Sequence, residues 1–104
     1  MKLDMDSLGS LVEKVRSKNA GPFIITVDIF CKTEEIYQKI TKNLTEKFLC
    51  DYLNIEERSI QLFFVDNLRV VKISIDRIFI QGSRFDRDMH GAQLANLISE
   101  LMIE

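Results

Sequence analysis

Hydrophobic and polar positions alternate most clearly over residues 22–31, PFIITVDIFC, the longest β-prone run in the chain. Phe23, Ile25, Val27 and Ile29 fall on one side, and Ile24, Thr26, Asp28 and Phe30 on the other. That period of two predicts a strand with one fully apolar face, of the kind found in the middle of a small sheet. Before it, residues 6–18 set Leu8, Leu11, Val12 and Val15 at helical spacing, with Asp6 or Ser7 as N-cap and basic residues in the last turn. The spacing predicts a short amphipathic helix that stops at Asn19-Ala20-Gly21-Pro22, where glycine permits a turn and proline blocks further helix. After the strand, Thr33 reads as an N-cap, Glu34 and Glu35 suit a first turn, and Ile36, Ile40, Leu44 and Phe48 make a stripe. The pattern predicts one helix of about five turns over residues 33–53.

Alternation returns over residues 59–65, where Ile60, Leu62 and Phe64 oppose Gln61, Phe63 and Val65. Asp66-Asn67 is a turn signal, and residues 69–76 set Val71, Ile73 and Ile75 against Val70, Lys72, Ser74 and Asp76, which predicts a hairpin. The parity then slips, so that Ile78 and Ile80 either extend this strand through a bulge or begin a short new one. Gln81-Gly82-Ser83 ends the run, and Asp86 or Asp88 can cap a last helix with the stripe Leu94, Leu97, Ile98 and Leu101. The order helix, strand, helix, strand, strand, helix predicts one α+β domain over residues 1–104. It matches a ferredoxin-like βαββα unit with an extra N-terminal helix and its last strand missing or replaced. In that reading the strands at 22–31 and 69–76 lie side by side and parallel. The edge left by the missing strand needs cover from residues 78–80, from the leading helix or from another chain, and pairing of two such edges predicts a homo-oligomer.

Composition narrows the classes. A chain of 104 residues with 46% hydrophobic content can bury a core without disulfides or metals. A net charge of −2 lacks the basic footprint of a general nucleic-acid binder. The sheet face, as read here, also lacks paired aromatics with basic neighbours. No apolar run reaches the roughly 18–20 residues of a membrane span, and MKLDMDSLGS carries acids where a signal peptide carries apolar residues, so a cytoplasmic location away from membranes is expected. Cys31 and Cys50 have no CxxC spacing and read as reduced small hydrophobes. With one histidine in the chain, neither a metal site nor a cofactor is expected.

Three groups of residues are candidates for chemistry. Parity puts Thr26 and Asp28 on one face with Lys72 and Ser74, either as a polar patch that holds a substrate or as a half-solvated face with a weak ion pair. The turn after Arg16 offers Lys18, Asn19 and the backbone around Gly21 to an anion, or is simply a helix C-terminus with basic residues. The third group surrounds the start of the last helix: Gln81, Gly82, Arg84, Asp88, His90 and Gln93, with amide N–H groups and arginines that favour a carboxylate. His90 is the default acid or base there, or else a hydrogen-bonded histidine in a first turn. If the strand simply continues to Ile80, the Gly21 and Gly82 loops leave opposite ends of the sheet, whereas a fold-back brings them together.

The stretches RSKNAGPFIITVDIF, KISIDR and QGSRFDRDMHGAQL resemble the signature segments of a small bacterial family of unknown function, related to the ferredoxin-like C-terminal domain of AtuA-like (acyclic terpene utilisation) proteins. The resemblance spans nearly the whole chain. It implies a small stand-alone subunit that works beside a larger AtuA-like protein in acid or acyl-CoA catabolism, and it transfers no catalytic residue. Lys18, Asn19, Gly21, Asp28, Lys72, Gln81, Gly82, Asp88, His90 and Gln93 are therefore candidates for binding or subunit contact. The leading expectation is an accessory subunit. The alternative is a small lyase, hydratase or isomerase acting on a carboxylate, with His90 as acid/base and Lys18 or Arg84 holding the anion. A regulatory ligand-binding module ranks third, because Cys31-Lys32-Thr33 stands where a glycine-rich turn belongs.

Overall fold

The structure is a computed structural model and describes residues 6–20, 23–76 and 91–103. In chain order its elements are β1 (Asp6–Ser7), α1 (Leu8–Leu11), β2 (Val12–Asn19), β3 (Ile24–Cys31), α2 (Glu34–Asn43), α3 (Glu46–Leu53), β4 (Ile60–Val65), β5 (Val70–Asp76), α4 (Gly91–Ser99) and β6 (Met102–Ile103). The fold is mixed α+β. A four-stranded sheet runs in the order β2-β3-β5-β4 with every neighbouring pair antiparallel, and β1 pairs with β6 in a second, two-stranded sheet.

The alternation over residues 22–31 decides which face is covered. Ile25, Val27, Ile29 and Cys31 are buried, and their register partners Ile75, Ile73 and Val71 on β5 are buried with them. Onto this face pack Tyr37 and Ile40 of α2, Leu49, Cys50 and Leu53 of α3, and Leu94 and Ile98 of α4, forming one core with Leu8, Val12 and Leu101. Each fully buried aliphatic side chain contributes about 1.5–3 kcal/mol relative to exposure, so this layer holds the sheet together. Two tyrosines tie the layers by hydrogen bonds: Tyr37 donates to Asp66 in the β4–β5 turn, and Tyr52 donates to the Leu97 carbonyl at 2.8 Å.

Four expectations are corrected. The helix expected over residues 6–18 lasts only from Leu8 to Leu11, after which the chain becomes β2. Its register shifts between Val12 and Lys14, so Val12 pairs with Cys31 and Val15 with Ile29, both on the core side. A bulge therefore gives this strand the three-residue apolar spacing that reads as helix. Second, β3 and β5 are antiparallel, not parallel, with Ile25 opposite Ile75 and Asp28 opposite Lys72. The edge of β3 expected to lie open is occupied by β2, which also removes the missing-strand argument for an oligomer.

Third, the five-turn helix is two helices. Leu44 and Thr45 leave helical geometry, and the Thr45 side chain accepts the Phe48 N–H at 3.1 Å, repeating the cap that Thr33 gives Ile36 at 3.2 Å. The break turns Leu49, Cys50 and Leu53 into the core and leaves Phe48 exposed. Fourth, the chain does not end on a helix, because β6 returns to pair with β1. The hairpin expected at residues 59–76 is present, its turn closed by Arg69 in a left-handed conformation at φ 53°. Residues 78–80 and the caps expected at Asp86 or Asp88 lie outside the described residues.

Candidate functional site

The other face of the four-stranded sheet carries no described helix, and its side chains form ordered rows across the strands. One row joins Lys14, Phe30, Val70 and Val65. The next joins Arg16, Asp28, Lys72 and Phe63, and the third joins Lys18, Thr26, Ser74 and Gln61. The face thus grades from apolar through ionic to hydroxyl-bearing, and neighbouring rows lie about 3.3–3.4 Å per residue apart along the strand, or twice that on one face.

At its centre Asp28 Oδ1 lies 3.2 Å from Lys72 Nζ, the pair that strand parity brings together. The distance is that of an ion pair, but this oxygen has no hydrogen-bond partner in good geometry among the described residues, and neither has the buried Thr26 Oγ1. Beside them Arg16, Ser17, Lys18 and Asp28 line a small cavity of about 60 Å³. Along the same edge Lys14 Nζ stands 4.9 Å from the centre of the Phe30 ring, a cation–π contact. On the far strand Phe63 is exposed. The face consequently combines two phenylalanines with four cations, though Phe30 on β3 and Phe63 on β4 are separated by β5 and form no cross-strand pair. Three of these cations, Lys14, Arg16 and Lys18, come from β2, which was expected to be helical.

Of the candidate residues, Lys18, Asp28 and Lys72 belong to this face, and Asn19 ends β2 on the opposite side, in register with the core residue Ile25. Gly21, Gln81, Gly82, Arg84, Asp88 and His90 lie outside the described residues, and Gln93 is placed only by its backbone, in α4. The antiparallel pairing revises one geometric expectation. Ile24 opposes Asp76, so the chain enters β3 and leaves β5 at the same end of the sheet. The described ends of the two strands from which the chain runs to these candidates, Ile24 and Asp76, thus lie side by side. Lys14 and Arg16 were passed over as site residues, whereas Thr26 was placed beside Asp28 by strand parity. Reading residues 12–19 in steps of two is the signal that finds them.

The opposite end of the sheet gathers Cys31, Tyr37, Asp66 and Arg69, and its thiol and phenol are held in their protonated forms at neutral pH. Burial pushes the Cys31 thiol up to about 11, with Arg69 opposing weakly. Burial, and then the hydrogen bond to Asp66, raises the Tyr37 phenol well above its usual range. The Cys50 thiol is raised as well, by burial first and nearby carboxylates second. Neither thiol is therefore a nucleophile at neutral pH, since the thiolate is the reactive form. Among the described residues no three His, Cys, Asp or Glu side chains are grouped to hold a metal ion, and no helix is long and apolar enough to cross a membrane.

A family model described as a domain of unknown function, DUF4387, matches residues 8–102, and the chain belongs to that family. No curated protein and no solved structure matches it.

Proposed function

We propose that this DUF4387 chain is a small accessory or interaction subunit, acting with a larger AtuA-like partner in acid or acyl-CoA catabolism. The observation that carries the reading is the asymmetry of the sheet: helices cover one face, while the other presents exposed Phe63 and Ile24 around the Asp28–Lys72 pair. Aromatic anchors beside paired charges are the composition of a recognition surface. The choice of an AtuA-like partner rests on the sequence resemblance alone. The strand order supports a ferredoxin-like variant in which β2 stands where the last strand would be. The two free thiols are compatible with a cytoplasmic setting.

Light scattering behind a sizing column tests the proposal, with the chain alone and mixed with an AtuA-like protein encoded beside it. A stable mixed complex that is lost with Phe63→Lys is expected. Absence of a complex at micromolar concentrations overturns the partner reading. The same measurement on the chain alone decides whether it forms a homo-oligomer, for which exposed Phe63, Phe64 and Leu68 at the β4 end offer an apolar surface.

The alternative, a small lyase, hydratase or isomerase on a carboxylate substrate, draws support from a different observation. Lys18, expected to hold an anion, lines the cavity between β2 and β3 together with Arg16. A His90→Ala variant that keeps partner binding and loses turnover favours this enzyme reading, and one that keeps both removes His90 from it.

A further inference from the structure

We infer that the free edge of β4 is a dimerisation surface, on which a second copy of this chain lays its own β4 antiparallel across a two-fold axis, joining the two sheets into one. The inference concerns the chain by itself and does not rest on an AtuA-like partner.

The two edge strands of the four-stranded sheet are built differently. At one edge, β2 carries Glu13, Lys14, Arg16 and Lys18 within its eight residues. Charges of that density keep an edge from pairing with another chain. At the other edge, β4 reads IQLFFV and has no charged residue, no glycine and no proline. Its backbone groups divide by parity. The Leu62 N–H leaves the ladder and donates to Glu46 Oε2 at 3.2 Å, so Ile60, Leu62 and Phe64 turn their N–H and C=O groups away from β5. No described strand meets them on that side. Beside this row Phe63 and Phe64 are 47% and 45% exposed, Leu68 in the following turn is 66% exposed, and Phe48, two residues after Glu46 in α3, is 38% exposed. An uncharged edge strand flanked by large exposed apolar side chains is a template for another strand.

Symmetry and area identify that strand as a second β4. Without a charged side chain, β4 has no means of selecting a foreign strand by charge, but it complements itself, because a two-fold contact puts the same apolar positions on both sides. The outward backbone groups of two copies face each other when the axis passes beside Leu62 or beside Phe63. The first register brings both Glu46 carboxylates to the axis, where they repel. The second makes Leu62 and the partner's Phe64 a hydrogen-bonded pair, and sets Phe63 against the partner's Phe63 as a close aromatic pair on the open face. This is the register that the charges favour. A buried aromatic removes about 150–250 Å² from water, so at these exposures the three phenylalanines offer roughly 200–300 Å² per copy, to which Leu68 and the strand backbone add. A total of about 1,000 Å² for two copies stands at the lower bound of a specific interface, and the dissociation constant belongs in the micromolar range. Glu46 competes with the second copy for the Leu62 N–H and has to release it when the strands pair.

Sedimentation velocity of the chain alone, from roughly 1 to 500 μM to span the constant expected for an interface of this size, is the test. A reversible monomer–dimer equilibrium is expected. Phe64→Lys, at an exposed position, should abolish the dimer and leave the fold intact by circular dichroism. Glu46→Ala should tighten the dimer by roughly threefold to tenfold, the size of one hydrogen bond that no longer has to be broken. Amide hydrogen exchange needs no variant: the outward Phe64 amide should slow as the dimer forms, while the Gln61 and Phe63 amides, turned toward β5, should change little. A monomer across the whole range overturns the inference. So does a dimer that survives Phe64→Lys, or one in which the Phe64 amide exchanges as fast as in the monomer. None of these measurements uses an AtuA-like protein, so failure here leaves the subunit proposal standing and failure there leaves this one.

Discussion

The two faces of the central sheet are made from alternate letters of the same strands, yet they obey different rules. On β3 and β5 the inward positions are Ile25, Val27 and Ile29 against Ile75, Ile73 and Val71, all buried. The outward positions are Thr26 and Asp28 against Ser74 and Lys72, all partly open to solvent. The covered face has to be apolar because three helices remove it from water. The open face keeps polar groups that packing does not require, and it is there that function is to be sought. A residue's contribution to stability and its contribution to binding should therefore separate by parity along a single strand.

The largest effect expected tests that separation directly. Ile73→Ala removes a side chain that is fully buried beneath the helices, and should lower the unfolding free energy by about 2–5 kcal/mol in urea titrations. Ser74→Ala, the next residue but on the other face, should change it by no more than about 0.5 kcal/mol. Comparable losses at the two positions would mean that the outer face is also packed in the folded protein in solution, and the contrast would fail.

Alkaline pH probes the covered side without a cavity. The Cys31 thiol ionises at about 11 in the fold, against 9.0 for an unperturbed thiol. The unfolded chain therefore gives up this proton first, so the contribution is fully present below pH 9.0 and is lost as pH rises through about 11. Two units correspond to about 2–3 kcal/mol. Urea midpoints measured from pH 8 upward should fall over this window, and a Cys31→Ala variant, less stable at the outset, should fall less steeply. Tyr37 and Cys50 are raised in the same sense and add to the loss at high pH. Identical slopes for the two proteins would place the thiol in contact with water.

A smaller effect concerns how the helical layer is closed. A side chain at Gly9 in α1 would place its Cβ 3.0 Å from Ser99 Cβ and 3.2 Å from the Ser99 carbonyl oxygen. Gly9→Ala should cost on the order of 1 kcal/mol, a typical overpacking penalty. Adding Ser99→Gly should recover only part of it, because the carbonyl remains. Full recovery in thermal melts would show that the backbone of α4 yields freely there, and that the layer over β2 is looser than the packing of the sheet implies.

How much of this was legible beforehand follows the same division. The apolar parity of residues 22–31 and 69–76 located the core, the hairpin and the Asp28–Lys72 pair, because a period of two needs nothing beyond neighbouring letters. Residues 6–18 misled for a physical reason: the shift between Val12 and Lys14 puts Val12 and Val15 on one side of a strand, mimicking a helix turn. Thr45 misled similarly, since Leu44 continues the apolar stripe of α2 while the threonine ends one helix and caps the next. Strand direction was also hidden, as alternation reads the same in parallel and antiparallel sheets. Once β2 was taken for a helix, Arg16 and Lys18 could not be seen as neighbours of Asp28 and Thr26, and the site stayed in fragments.

The smallest expected effect is the most informative about the open face. Asp28 and Lys72 are close enough for a strong Coulomb attraction, but their side chains are 20% and 43% exposed, so water screens the pair. A double-mutant cycle with Asp28→Asn and Lys72→Met should therefore yield a coupling of only about 0–1 kcal/mol in urea unfolding of the isolated chain. Such a pair is held in place more by its strands than by its own attraction. A coupling above about 2 kcal/mol would place the pair in a dry environment. That result would mean that the supposedly open face is already covered, and the contrast between the two sides of the sheet would have to be withdrawn.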